Sequence, residues 1–182
     1  EALYPQATTF VRGHGEEPLA ELAREGGRPS FVGVHHAGEA DREVVARADL
    51  AQLPSPWLTG VLEMPAGGFV RWETQRGCPY RCTFCQHREA GQPRKVRGLA
   101  LADARIEAEI EAFCAARVGE IAVLDPIFNL GERAVAVLER FAAHGFGGRL
   151  ALQCRAELLD EAFLDAAARL RVCVELGLQT VN

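Results

Sequence analysis

Residues 71–87, "RWETQRGCPYRCTFCQH", place Cys78, Cys82 and Cys85 within eight positions, immediately after an apolar run that reads as a strand, "GGFVRWETQ" (residues 67–75). Three thiolates spaced C-x3-C-x2-C on a loop can wrap one soft metal centre. One reading is a mononuclear zinc, with His87 completing a Cys3His tetrahedron in a binding module without catalysis. Against it, zinc modules usually pair two ligands on each of two separated elements, whereas this cluster is contiguous and follows a strand, where α/β folds place active sites. The other reading is a [4Fe–4S] cluster with three cysteines on three irons. Clusters used only for electron transfer are normally held by four cysteines, so a fourth, open iron implies a ligand that comes and goes.

Downstream of the cysteines the pattern alternates. "LADARIEAEIEAFCAARV" predicts a helix, "EIAVLDP" a buried strand, "GERAVAVLERFAAHG" a helix and "RLALQCR" a strand; "AELLDEAFLDAAARL" and "RVCVELGLQ" repeat the pair. With the strand before the cysteines the order is β-α-β-α-β-α-β, which argues an α/β fold with a parallel sheet and right-handed helical crossovers. Gly131 opens one helix and "HGFGG" ends it. A four-stranded parallel sheet with no closing strand would leave a long exposed edge, so more barrel is expected after "LQTVN".

Before residue 69 the texture differs. "TTFVRGHGEEPLAELAREGG" reads as a strand, a tight glycine turn and a helix, "RPSFVGVHHAG" as a short strand, and "LAQLPSPWLTG" as an extended, proline-bearing linker. The expected division is residues 1–27 as the end of one domain, 28–64 as linker and 65–182 as the core.

Composition sets the surroundings. With 182 residues, 48% hydrophobic and 25% charged, the chain can bury a core, and its net charge of −5 is mild. The 20 basic residues are scattered, leaving no electrostatic footprint for nucleic acid or an anionic membrane. No apolar run reaches membrane-spanning length and the amino terminus lacks signal-peptide features, so a cytoplasmic protein is expected. Six cysteines are too few for a disulfide scaffold. Cys114, Cys154 and Cys173 sit in apolar surroundings and are expected to be buried, inert thiols.

"RGCPYRCTFC" resembles the signature of radical S-adenosylmethionine (SAM) enzymes in its cysteine spacing, in Phe84 before the last cysteine and in the preceding strand. The resemblance implies that amino and carboxylate groups of SAM chelate the open iron and that electron transfer yields a 5′-deoxyadenosyl radical. It also implies an external electron donor such as flavodoxin or ferredoxin, and a place for Phe84 beside the adenine of SAM, compatible with core packing. Family members draw further SAM contacts from later strand ends, which here supply Asp125, Arg155, Glu175 and Gln179. Arg155 suits the SAM carboxylate through a bidentate pair. For each of the four a structural hydrogen bond or loop salt bridge is the competing role.

A Gly-Gly-Glu run common in other radical SAM subfamilies is replaced here by "DPIFN". That segment, "VRGHGEEPLAEL" and "LPSPWLTG" together resemble the cobalamin (B12)-dependent radical SAM subfamily, although His14 stands where that group usually has Glu. The implied architecture is the amino-terminal half of a (β/α) partial barrel preceded by the edge of a Rossmann-like cobalamin-binding domain. Gly13 and Gly15 would let backbone approach cobalamin closely. The implied activity is methylation of an unactivated carbon of a small-molecule substrate, a group that includes a tryptophan C2-methyltransferase of thiopeptide biosynthesis. Cyclases, mutases and transfer-RNA methylthiotransferases share the signature, but the last usually bring a second cluster from an amino-terminal cysteine-bearing domain, and residues 1–77 contain no cysteine.

Overall fold

A computed structural model describes residues 4–40, 43–80, 82–85 and 99–178. They form two compact units, Glu1–Leu53 and Pro54–Asn182.

In the first unit, β1 (Thr9–Val11) pairs antiparallel with β2 (Val34–His36), with Phe10 opposite His35. Phe10 and His35 stack face to face, ring centroids 5.0 Å apart. His36 is buried and satisfied at both ring nitrogens, Nδ1 lying 3.1 Å from Thr9 Oγ1 and Nε2 3.1 Å from the Pro29 carbonyl. Between the strands runs α1 (Glu16–Glu25), with Glu16 and Glu17 at its amino end and Arg24 in its last turn, each sign favoured by the helix dipole.

The second unit follows the alternation read from the sequence. Its strands and helices are β3 (Phe69–Trp72), β4 (Gln75–Arg76), β5 (Leu99–Ala100), α2 (Asp103–Ala115), β6 (Glu120–Val123), α3 (Glu132–Ala143), β7 (Arg149–Cys154), α4 (Glu161–Ala168) and β8 (Arg171–Leu176). Strands β3, β6, β7 and β8 form one parallel sheet in that order. Each crossover carries a helix, the connection a parallel pair requires.

Alternate residues of this sheet are buried: Val70 and Trp72, Ile121 and Val123, Leu150 and Leu152. They meet apolar helix positions, and Trp72 stands edge-on to Phe113 of α2 at 5.7 Å and to Phe141 of α3 at 5.6 Å. Each such side chain contributes about 1.5–3 kcal/mol by leaving water. That gain carries a buried carboxylate under the sheet: Glu109 of α2 is 0% exposed, yet accepts hydrogen bonds from Trp72 Nε1 (2.7 Å) and Arg105 Nε (3.0 Å). Nothing in the sequence pattern had marked Glu109 as buried.

Two local expectations are revised and one pairing is new. The helix expected over 156–170 is interrupted: a 3-10 turn covers Ala156–Leu158, and α4 starts only after Asp160, whose side chain caps it by accepting from the Phe163 N–H at 2.8 Å. The proline-bearing stretch is turned rather than extended, because Ser55 Oγ accepts from the Leu58 N–H at 3.2 Å. Trp57 then lies edge-on to Phe113 at 5.9 Å. Finally, β4 and β5 form a short antiparallel hairpin stem, with Arg76 opposite Leu99, that closes the base of the cysteine loop.

Candidate functional site

The site lies where the parallel strands end. Beyond β3 the chain passes Thr74, enters the β4–β5 stem and emerges at Gly77, whose φ of +87° suits glycine. Cys78, Cys82 and Cys85 follow, each half-buried, with Cys85 N–H donating to the Cys82 carbonyl at 3.1 Å. All three thiols border one cavity of about 670 Å³, shared with Tyr80 and Phe84 of the same loop. The opposite walls come from the ends of β6, β7 and β8, through Ile127, Gln153 to Glu157, and Glu175.

Among the described residues no three His, Cys, Asp or Glu side chains converge as a single bound ion requires. Three cysteines lining one cavity match the donor set of an iron–sulfur cluster, in which each thiolate binds a different iron. His87, the fourth ligand of the zinc reading, lies outside the described residues.

Phe84 is 68% exposed and faces the cavity, so it does not pack in the core. Arg155 lies with its guanidinium carbon 3.9 Å from the centre of the Tyr80 ring, within cation–π range. Its Nε donates to Glu157 Oε1 at 2.6 Å. The Glu157 hydrogen bond first, and that of the Cys82 thiol after it, raise the already high pKa of this arginine. The cavity thus holds a fixed cation beside a cysteine. Glu175, exposed on β8, lines the facing wall. Gln179 lies outside the described residues.

Asp125 is placed differently. It is 0% exposed and absent from the cavity wall. One carboxylate oxygen accepts from the N–H groups of Thr74 (2.7 Å) and Gln75 (3.2 Å), the other from Thr74 Oγ1 (2.5 Å). Burial raises its pKa against the opposing effect of those bonds. Any influence of Asp125 on a cavity ligand therefore runs through the backbone it holds.

The remaining thiols divide. Cys154 is 7% exposed and lines the cavity, a position the sequence did not signal; burial pushes its pKa up to about 11, so the thiol stays protonated at neutral pH. Cys173, expected to be buried, is exposed on β8, on the face opposite the half-buried Val172 and Val174. Cys114 is half-buried.

The glycine turn of the first unit does not offer the open backbone expected of it. A Cβ on Gly13, whose φ is +92°, would lie 2.3 Å from the Ala46 carbonyl, so the missing side chain makes room for the chain's own backbone. His14 continues that contact, its N–H donating to the Ala46 carbonyl at 2.9 Å and its Nδ1 accepting from the Ala48 N–H at 3.0 Å. A Cβ on Gly15 would meet only the Leu19 side chain, 3.3 Å away.

Residues 72–182 match the Radical SAM superfamily, and the chain belongs to it. It is 31% identical over 159 residues to the 2-(S-pantetheinyl)-carbapenam-3-carboxylate methyltransferase of Streptantibioticus cattleyicolor, covering 78% of this chain and 23% of that protein. It is 28% identical over 158 residues to the cobalamin-dependent radical SAM methyltransferase TokK of Streptomyces tokunonensis, covering 76% and 22%. This chain therefore corresponds to under a quarter of the length of these relatives. The fold also matches the radical SAM methyltransferase TsrM of Kitasatospora setae in two solved forms. With tryptophan and a SAM analogue bound, the TM-score is 0.65 at 22% identity, over 96% of this chain and 38% of TsrM. With cobalamin and a [4Fe–4S] cluster bound, it is 0.62 at 20% identity, over 93% and 38%. The α/β architecture expected from the alternation is that of part of the TsrM fold.

Proposed function

We propose that this protein is a cobalamin-dependent radical SAM methyltransferase that moves a methyl group from SAM to a carbon of a small-molecule substrate. The observation that carries the reading is the convergence of Cys78, Cys82 and Cys85 on one cavity at the strand ends, with Arg155 and Glu175 on its other walls. The donor set fits a [4Fe–4S] cluster held by three thiolates. When bound, these groups supply one-electron reduction of SAM at the cluster and methyl carriage at cobalamin.

The chain's own residues then have definite tasks. The three cysteines hold three irons. Arg155 offers its guanidinium to a carboxylate, sharing with Glu157 a fork that recognises such groups bidentately. Glu175 presents an anion suited to an ammonium group, and exposed Phe84 offers a ring face to a planar base. Cobalamin is supported by TokK and TsrM; the Gly13 turn is filled by Ala46, and no residue of the first unit is assigned to it. The substrate is a small molecule, as in TsrM with tryptophan, and an external flavodoxin or ferredoxin supplies the electron. No helix among the described residues is long and apolar enough to cross a membrane.

The test is anaerobic purification of the full-length protein, with iron, sulfide and cobalamin analysis and electron paramagnetic resonance of the reduced cluster with and without SAM. About four irons per chain, bound cobalamin and a SAM-dependent change in the signal are expected. Zinc in place of iron, or an unaltered signal at saturating SAM, overturns the reading.

A further inference from the structure

The "DPIFN" segment, Asp125–Asn129, joins two walls of the cavity although neither of its polar ends lines it. At one end Asp125 gathers three donors from Thr74 and Gln75, the residues from which the cysteine loop departs. Gln75 returns the contact, its Nε2 donating to the Ile127 carbonyl at 3.0 Å. At the other end Asn129, also buried, holds the backbone of Arg155 from both sides: Asn129 Nδ2 donates to the Arg155 carbonyl at 2.9 Å, and the Arg155 N–H donates to Asn129 Oδ1 at 2.9 Å. Between them the Phe128 N–H donates to the Gln153 carbonyl at 2.7 Å. Short polar side chains of this kind have few rotamers, and each polar side-chain atom of Asp125 and Asn129 has a hydrogen-bond partner here. They fix the backbone on which the cysteines and the arginine ride.

We infer that Asp125 and Asn129 are two separate positioning residues of the SAM site: Asp125 sets the cysteine loop for cluster retention, and Asn129 sets Arg155 for the carboxylate of SAM. The inference rests on the proposed function and adds to it a division of labour within five consecutive residues. Replacing the Asp125 carboxylate by an amide puts an N–H donor against donors, loosening the loop base without touching a thiol. Removing the Asn129 amide frees Arg155 while leaving the Thr74 and Gln75 contacts in place. A shared structural role would instead weaken both properties together.

The experiment uses the full-length protein, reconstituted anaerobically with ferrous iron and sulfide, as wild type, Asp125→Asn, Thr74→Val, Thr74→Ser and Asn129→Ala. Three quantities are read: the rate of iron loss to a chelator, the Kd for SAM by equilibrium dialysis, and Tm. Asp125→Asn and Thr74→Val are expected to lose iron about tenfold faster, the scale of disturbing groups that orient metal ligands, with Thr74→Ser restoring retention through its hydroxyl. Asn129→Ala is expected to keep its iron and bind SAM about tenfold more weakly. If Asp125→Asn does not fold, the Thr74→Val and Thr74→Ser pair decides the first half. Losses of both iron retention and SAM affinity that track Tm in every variant overturn the inference, as do variants indistinguishable from wild type. A wild type that takes up neither iron nor SAM removes the proposed function itself, and the inference with it.

Discussion

Two turns in this molecule share an Arg-Gly pair after a short strand, and their uses are opposite. Arg12-Gly13 follows β1 and Arg76-Gly77 closes β4, with glycine φ values of +92° and +87°. At Gly13 the space is filled by the Ala46 carbonyl, so the turn packs the first unit together. After Gly77 the chain instead brings Cys78, Tyr80, Cys82, Phe84 and Cys85 to a cavity wall. Local backbone chemistry is alike in both; what differs is whether another segment of the same unit occupies the concave side. A glycine turn identifies a conformation, and only its surroundings show whether a ligand has room.

The largest expected effect breaks the cysteine turn. Cys78→Ala, Cys82→Ala or Cys85→Ala is expected to abolish cluster assembly outright, since each thiolate holds its own iron, whereas Cys114→Ala, Cys154→Ala and Cys173→Ala retain it. Cys154 is the informative control because it lines the same cavity with a protonated thiol. Full iron content in Cys82→Ala, measured after anaerobic reconstitution, would sink the assignment.

The glycine turn breaks less completely. Gly13→Ala is expected to destabilise the first unit by about 3 kcal/mol or more, combining left-handed strain with a clash against backbone that cannot move aside. Gly15→Ala, in ordinary helical conformation and facing only a flexible leucine, is expected to stay within about 0.5 kcal/mol. Urea denaturation of the two variants separates a packing turn from a ligand-facing one, for which both substitutions would lower cobalamin content at unchanged stability.

The smallest effect comes from pH. The folded state raises the Cys154 pKa from an ordinary value of 9.0 to about 11 by burial. The unfolded thiol ionises first, so the favourable contribution is complete below pH 9 and is lost as pH rises through 11. The loss in the cluster-free chain is at most about 2–3 kcal/mol, and Cys154→Ala is expected to remove that part of the alkaline slope.

The strands and helices of the second unit were readable because the cues are local. Apolar alternation with period two marked Leu150 and Leu152, and the helical period marked Val137, Leu138 and Phe141; all five are buried. The interruption before Asp160 was missed because "AELLDEAFLDAAARL" is helical in propensity throughout, and only the cap bond to Phe163 shows where α4 begins. Of the residues that line the cavity, Cys78, Cys82, Cys85 and Phe84 carry a cue in the cysteine spacing, and Arg155 and Glu175 a cue in their place at or after a strand, whereas Cys154 looked like any core thiol.

The sequence by itself determined the order of the parallel sheet's elements and the spacing of the three thiols, since periodicity and covalent spacing act over a few residues. The tertiary structure decided which polar residues face the cavity and which hold it open. Asp125 reads as a strand-end carboxylate like Glu175, yet its fate depends on Thr74, 51 residues away, reaching it before a ligand can. A buried carboxylate must find donors wherever the fold supplies them, and which segment arrives is a property of packing.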